Sequence, residues 1–161
     1  METVLIPDTF TDEKLGKRRL ITIQTVYSIV ADSKNFGYVL TALLNSTPVR
    51  SFITSFAVRA RGRYFRHISW TVGLVPLPKV IADGNMKDPK IKEIIKLSKK
   101  MHECKGTNSE VSVQLDRAIA ELYGISKKEL DLLRDYLIAC GVPTLSTSAN
   151  RKSLPRVVEF E

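Results

Sequence analysis

Residues 19–30 read RLITIQTVYSIV, and they alternate. Ile21, Ile23, Tyr27 and Ile29 fall on one side and Thr22, Gln24 and Ser28 on the other, the period-two pattern of a half-buried strand. Directly downstream, residues 35–46, NFGYVLTALLNS, place Phe36, Val39, Leu40, Leu43 and Leu44 at helical spacing. Asn45-Ser46 ends that run with side chains that compete for backbone hydrogen bonds. A strand feeding a helix predicts an α/β (α+β) fold, a small sheet with helices packed on it.

Working outward, Thr47-Pro48 offers an N-cap followed by proline at the first helical position. Val49, Phe52, Ile53 and Phe56 then form an i, i+3, i+4, i+7 stripe. From Ala57 the period returns to two, with Ala57, Arg59 and Arg61 on one side and Val58 and Ala60 on the other, until Gly62 permits a tight turn. RYFRHISW, residues 63–70, is the expected second arm of a hairpin. Val75-Pro76-Leu77-Pro78 reads as an extended connector, because each proline removes a ladder donor and restricts the residue before it.

Beyond Asp83-Gly84 the composition shifts to helix formers. DPKIKEIIKLSKKMHECK carries Ile91, Ile94, Ile95, Leu97, Ser98 and Met101 on a broad stripe bordered by lysines. SEVSVQLDRAIAELYG repeats Val111, Leu115, Ala118, Ile119 and Leu122, with Gly124 as terminator. Ser126-Lys-Lys-Glu129 is a capping box opening a helix with Leu130, Leu133 and Leu137. The expected organisation is a single domain: a mixed strand/helix lobe over 1–83, a helical part over 84–140 and a loop-like tail over 141–161.

The net charge is +8, from 25 Lys+Arg against 17 Asp+Glu, which favours polyanionic partners. Its placement is sharper than its total. Between Asp32 and Asp83 there is no acid, whereas Lys34, Arg50, Arg59, Arg61, Arg63, Arg66 and Lys79 all lie inside that interval. A basic excess confined to one segment is the footprint of a nucleic-acid-binding surface. Arginine adds planar donors that match phosphate oxygens and the guanine O6/N7 edge. Arg59, Arg61, Arg63 and Arg66 are the expected DNA contacts, joined by Tyr64 and His67. Aromatic residues beside arginines also fit single-stranded nucleic acid.

Catalytic signatures are missing from the sequence: it contains no Gly-rich phosphate loop, Gly-x-Ser-x-Gly elbow or His-Glu-x-x-His. A small metal-dependent nuclease would draw on Asp83, Asp88 or Glu93, which are close in sequence, but they straddle a turn and a helix start, where the dipole alone stabilises carboxylates. A protein-interaction module with a basic surface is a third reading. Cys104 and Cys140 belong to no metal-binding or disulfide pattern and are expected to be ordinary thiols. The N-terminus METVLIPDTFTDEKL lacks the basic and apolar regions of a secretory signal, and no apolar run nears the roughly 18 residues of a membrane span. A cytoplasmic protein with no membrane partner is expected.

Three pieces in order resemble a known family: a strand followed by a helix ending Leu43-Leu44-Asn45-Ser46, a basic glycine-centred stretch closing on Val75-Pro76-Leu77-Pro78, and Leu115-Asp116-Arg117 leading to Leu122-Tyr123-Gly124-Ile125-Ser126. Their order and spacing resemble the TaqI-like C-terminal specificity domain, the target-recognition domain of adenine-specific DNA methyltransferases in type II restriction-modification systems. The resemblance spans roughly Thr25 to Leu137. It implies recognition of double-stranded DNA without catalysis, with Leu43, Leu44, Leu122 and Tyr123 as core and Gly124 as a helix terminator. The Asn/Asp-Pro-Pro-Tyr/Phe motif and glycine loop of the family's catalytic domain are not in this sequence. S-adenosylmethionine is therefore expected in a methyltransferase catalytic domain or subunit outside this chain.

Overall fold

A computed structural model of the chain describes residues 9–12, 16–19, 28–59, 65–66, 69–104 and 108–142. An antiparallel pair, β1 (Thr9–Asp12) and β2 (Gly16–Arg19), comes first, with Thr9 opposite Arg19 and Asp12 opposite Gly16. The helices α1 (Lys34–Asn45) and α2 (Thr47–Phe56) follow. A second antiparallel pair, β3 (Val58–Arg59) and β4 (Phe65–Arg66), leads to α3 (Ser69–Gly73) and α4 (Lys79–Ala82). Three longer helices complete the described chain: α5 (Pro89–Glu103), α6 (Ser109–Leu122) and α7 (Lys127–Ala139).

This is a helical protein, and the expectation of an α/β fold with helices on a small sheet is overturned. The buried cluster is built from Val39 and Leu43 of α1, Ile53 of α2, Ile81 of α4, Ile91 and Ile94 of α5, and Val111 and Ile119 of α6, among others. Each of these eight is at most 2 % exposed. Burial of such a side chain is worth about 1.5–3 kcal/mol, so helix-on-helix packing carries the stability. Of the stretch expected as a half-buried strand, residues 20–27 lie outside the described residues; Arg19 ends β2, Ser28 to Val30 form no strand, and Ile29 is 54 % exposed.

The helices form where local chemistry directs. Ser33 caps α1 by accepting from the Phe36 N–H at 3.2 Å. Asp88 caps α5 by accepting from the N–H groups of Lys90 (2.8 Å) and Ile91 (3.4 Å), with Pro89 at the first turn. Asn108 caps α6 through the Val111 N–H. The expected capping box opens α7: Ser126 Oγ accepts from the Glu129 N–H, and the Ser126 N–H donates to Glu129 Oε2 at 2.8 Å. Hydrogen bonds from the Ser126 hydroxyl, then from its backbone, hold the Glu129 carboxyl below the usual carboxylate range. Gly124 ends α6 with φ +69, a left-handed conformation that favours glycine. The apolar stripes expected on α5, α6 and α7 are the buried ones, through Ile91, Ile94, Ile95 and Leu97, through Val111, Leu115 and Ile119, and through Leu130 and Leu137.

α2 starts differently from expectation. Thr47 is its first helical residue rather than its cap, and Ser46 at the cap position makes no side-chain capping bond; its hydroxyl donates back to the Leu43 carbonyl. The cap comes from α6. Asp116 Oδ1 accepts from the Thr47 N–H at 2.8 Å, and Oδ2 accepts from the Thr47 hydroxyl at 2.6 Å and from Arg134 Nη2 of α7 at 3.4 Å. Thr47 and Asp116 are 3 % and 5 % exposed. One carboxylate thus satisfies an orphan helix donor, offsets the positive end of the α2 dipole and neutralises a guanidinium. Ser51 Oγ donates to the Leu133 carbonyl, adding a second link between α2 and α7.

No helix among the described residues is long and apolar enough to cross a membrane. Asp116→Ala leaves the buried N–H and hydroxyl of Thr47 without their acceptor, while Arg134 keeps Asp131, and should cost about 3 kcal/mol in urea unfolding. Asp131→Ala removes the exposed partner of Arg134 and should cost less than about 1 kcal/mol.

Candidate nucleic-acid interface

The arginine-rich segment leaves the helical core where α2 ends. Ala57, the C-cap, turns extended at φ −74, ψ 137, and β3 begins at the next residue. The register pairs Val58 with Arg66 and Arg59 with Phe65. An antiparallel pairing thus exists where the hairpin was expected, and the second arm stops short of residue 70 because Ser69-Trp70 is already helical in α3; 60–64 and 67–68 lie outside the described residues. Both ends of the hairpin are anchored. On one side Ile53 and Thr54 of α2 are buried; on the other Thr71 of α3 is 1 % exposed and Val72 packs against the core.

Of the six expected contact residues, Arg59 and Arg66 occupy the ladder, on adjacent rungs. Successive rungs of a ribbon belong to opposite faces, so these two positions do not share one. Arg61, Arg63, Tyr64 and His67 lie outside the described residues. Within the acid-free interval, Arg50 is only 8 % exposed inside α2 and so does not belong to an open basic surface, whereas Lys34 and Lys79 are exposed. Around the hairpin base stand Phe56, Val58, Trp70 and Leu74, each 46–54 % exposed. The Phe56 ring lies 5.0 Å from that of Phe52.

The connector Val75-Pro76-Leu77-Pro78 is without regular structure, as expected, and is fastened to the end of α6: Tyr123 Oη donates to the Pro76 carbonyl at 2.8 Å. Burial raises the Tyr123 phenol to about 12. Together with the Asp116 contact to Thr47, this bond joins the three separated pieces of the sequence pattern. The helix end at residues 43–46 meets Asp116 through Thr47, and the Pro-Leu-Pro connector meets Tyr123. Leu43 and Leu44 are buried, and Leu122 and Tyr123 pack half-buried against the same cluster.

The acids considered for metal chemistry are placed otherwise. Asp88 is occupied in capping α5, Asp83 is the C-cap of α4, and Glu93 is exposed on α5 at 4.0 Å from Lys96. Among the described residues no group of three or more His, Cys, Asp or Glu could hold a metal ion. His102 is exposed and stands edge-on to Tyr38, ring centroids 6.0 Å apart. Cys104 and Cys140 are not joined in a disulfide. An open cleft of about 250 Å³ between α6 and α7, lined by Arg117, Glu121 and Lys127 among others, mixes both charges and presents no reactive set.

Asp116 is the residue that sequence reading missed. Its signal was available: on α6 it shares the buried face of Ser112, Leu115, Ile119 and Ala120, where an acid needs a partner. No family model, curated protein or solved structure matches the chain.

Tyr123→Phe should lose about 1 kcal/mol by removing the bond to Pro76. Because the folded phenol titrates near 12 and the unfolded one near 10, its contribution is complete below about pH 10 and is lost as pH rises through 12. Tyrosinate absorbance should accordingly show a late ionisation in the wild type that the Phe variant lacks.

Proposed function

We propose that the chain is a target-recognition module that binds double-stranded DNA for an adenine-N6 methyltransferase, with the β3–β4 hairpin as its reading element. The observation that carries this reading is the convergence of the three pattern pieces. Residues 43–46, 75–78 and 115–126 are tied together through Thr47–Asp116 and Pro76–Tyr123, and the arginine segment runs between the first two. A pattern whose separated parts hold one another is what a scaffold for a variable reading segment requires.

The chemistry of the segment fits the task. A two-stranded ribbon can enter the roughly 12 Å major groove. Entering tip-first, it offers both faces to the groove walls, with Arg59 and Arg66 as ladder positions on opposite faces and Arg61, Arg63, Tyr64 and His67, outside the described residues, completing the proposed contacts. Phosphate bonds fix register and arginine forks discriminate base edges. A methyltransferase that extrudes adenine must offset a few kcal/mol of unstacking, and a recognition module supplies contacts that do so. Methyl transfer from S-adenosylmethionine belongs to a catalytic domain or subunit that partners the module.

Replacing Arg59, Arg61, Arg63 and Arg66 by alanine should flatten the plot of log K against log salt by about 3.6, from ~0.9 per phosphate contact. The thermal midpoint should barely change, since the described core is helical. Lysine at the same four positions should keep most of the salt dependence while losing sequence discrimination, because an ammonium lacks the fork. A wild-type affinity for duplex that ignores salt would sink the proposal.

A further inference from the structure

α5 carries a second concentration of positive charge that the hairpin does not account for. Lys92, Lys96, Lys99 and Lys100 are all exposed and, at i, i+4, i+7 and i+8, share one face opposite the buried stripe of Ile91, Ile94, Ile95 and Ser98. Glu103, at i+4 from Lys99 and i+3 from Lys100, lies on that same face, and Glu93 borders it. The one ion pair its lysines make among the described residues is Lys96 to Glu93, at 4.0 Å with side chains 79 % and 54 % exposed, a geometry that water and salt screen. Lys99 Nζ stands 5.6 Å from the centre of the Tyr38 ring, which leaves its charge in place.

The start of the helix is conventionally capped: Asp88 accepts from the Lys90 and Ile91 N–H groups, and its carboxylate offsets the dipole beside Lys90 and Lys92. The residue type narrows the ligand. Lysine is a mobile point charge without a fork, suited to phosphate and poorly suited to telling bases apart. From Lys92 to Lys100 the helix rises about 12 Å at ~1.5 Å per residue, enough to follow roughly three phosphates of one strand at ~3.4 Å each.

We infer that the lysine face of α5 is a sequence-independent contact to the phosphate backbone of a DNA duplex, separate in chemistry from the arginine hairpin. The inference takes its ligand from the DNA-recognition reading and adds the surface that sets affinity rather than site choice.

The test is titration of the full chain with short duplexes of several unrelated sequences across roughly 50–200 mM salt. The variant Lys92→Gln/Lys96→Gln/Lys99→Gln/Lys100→Gln should flatten the salt slope by about 3 and weaken every duplex by the same factor, on the order of 10³-fold near 0.1 M. Arginine at the four positions should restore binding. If the glutamine variant binds with the wild-type slope while the hairpin alanine variant is weakened, the α5 inference fails and the DNA reading stands. If the wild type binds no duplex at any of these salt concentrations, both fail together. Poly-glutamate that displaces duplex at equal charge concentration would assign the face to an acidic protein instead and overturn the inference.

Discussion

One buried carboxylate organises much of the described core. Asp116 reaches from the middle of α6 to the first residue of α2 and also takes a guanidinium from α7. A helix that begins in the interior has donors that water cannot reach, and each unsatisfied one costs about 1–3 kcal/mol. Because only Ser46 separates α1 from α2, supplying that cap in trans fixes the corner between them as well. The arrangement of α1, α2, α6 and α7 is thereby specified by hydrogen bonds in addition to apolar contact, which is non-directional.

The corner has consequences at the other end of α2. The hairpin springs from the C-terminus of that helix, so whatever orients α2 orients the arginine segment. A second polar tie, from Tyr123 to Pro76, holds the chain that returns from the hairpin. The described core is made of helices and the turns between them, while Arg59 and Arg66 belong to the β3–β4 pair.

Arginine and lysine are distributed unequally over the chain. Arginines gather in residues 59–66 and lysines on α5. Forked donors suit discrimination, and mobile ammonium groups suit a uniform polyanion. Under the proposed DNA reading the first would serve selectivity and the second the salt-sensitive encounter that precedes it.

Much was legible from residues alone wherever the determinant was local. The helix at 34–45, the stripe and lysine border of α5, the capping box at Ser126 and Glu129, the left-handed Gly124 and the extended Pro-Leu-Pro connector all follow from neighbours within one or two turns. The hairpin was legible too, though shorter than its alternation promised. What local pattern could not reveal was set by partners far along the chain. Thr47 looked like a cap and is instead capped by a residue 69 positions away. Ile29 was expected on a half-buried face and is exposed. The helical class itself belongs here, because alternation records a preference of the backbone, and only the completed packing of helices decides whether a strand has anything to pair with.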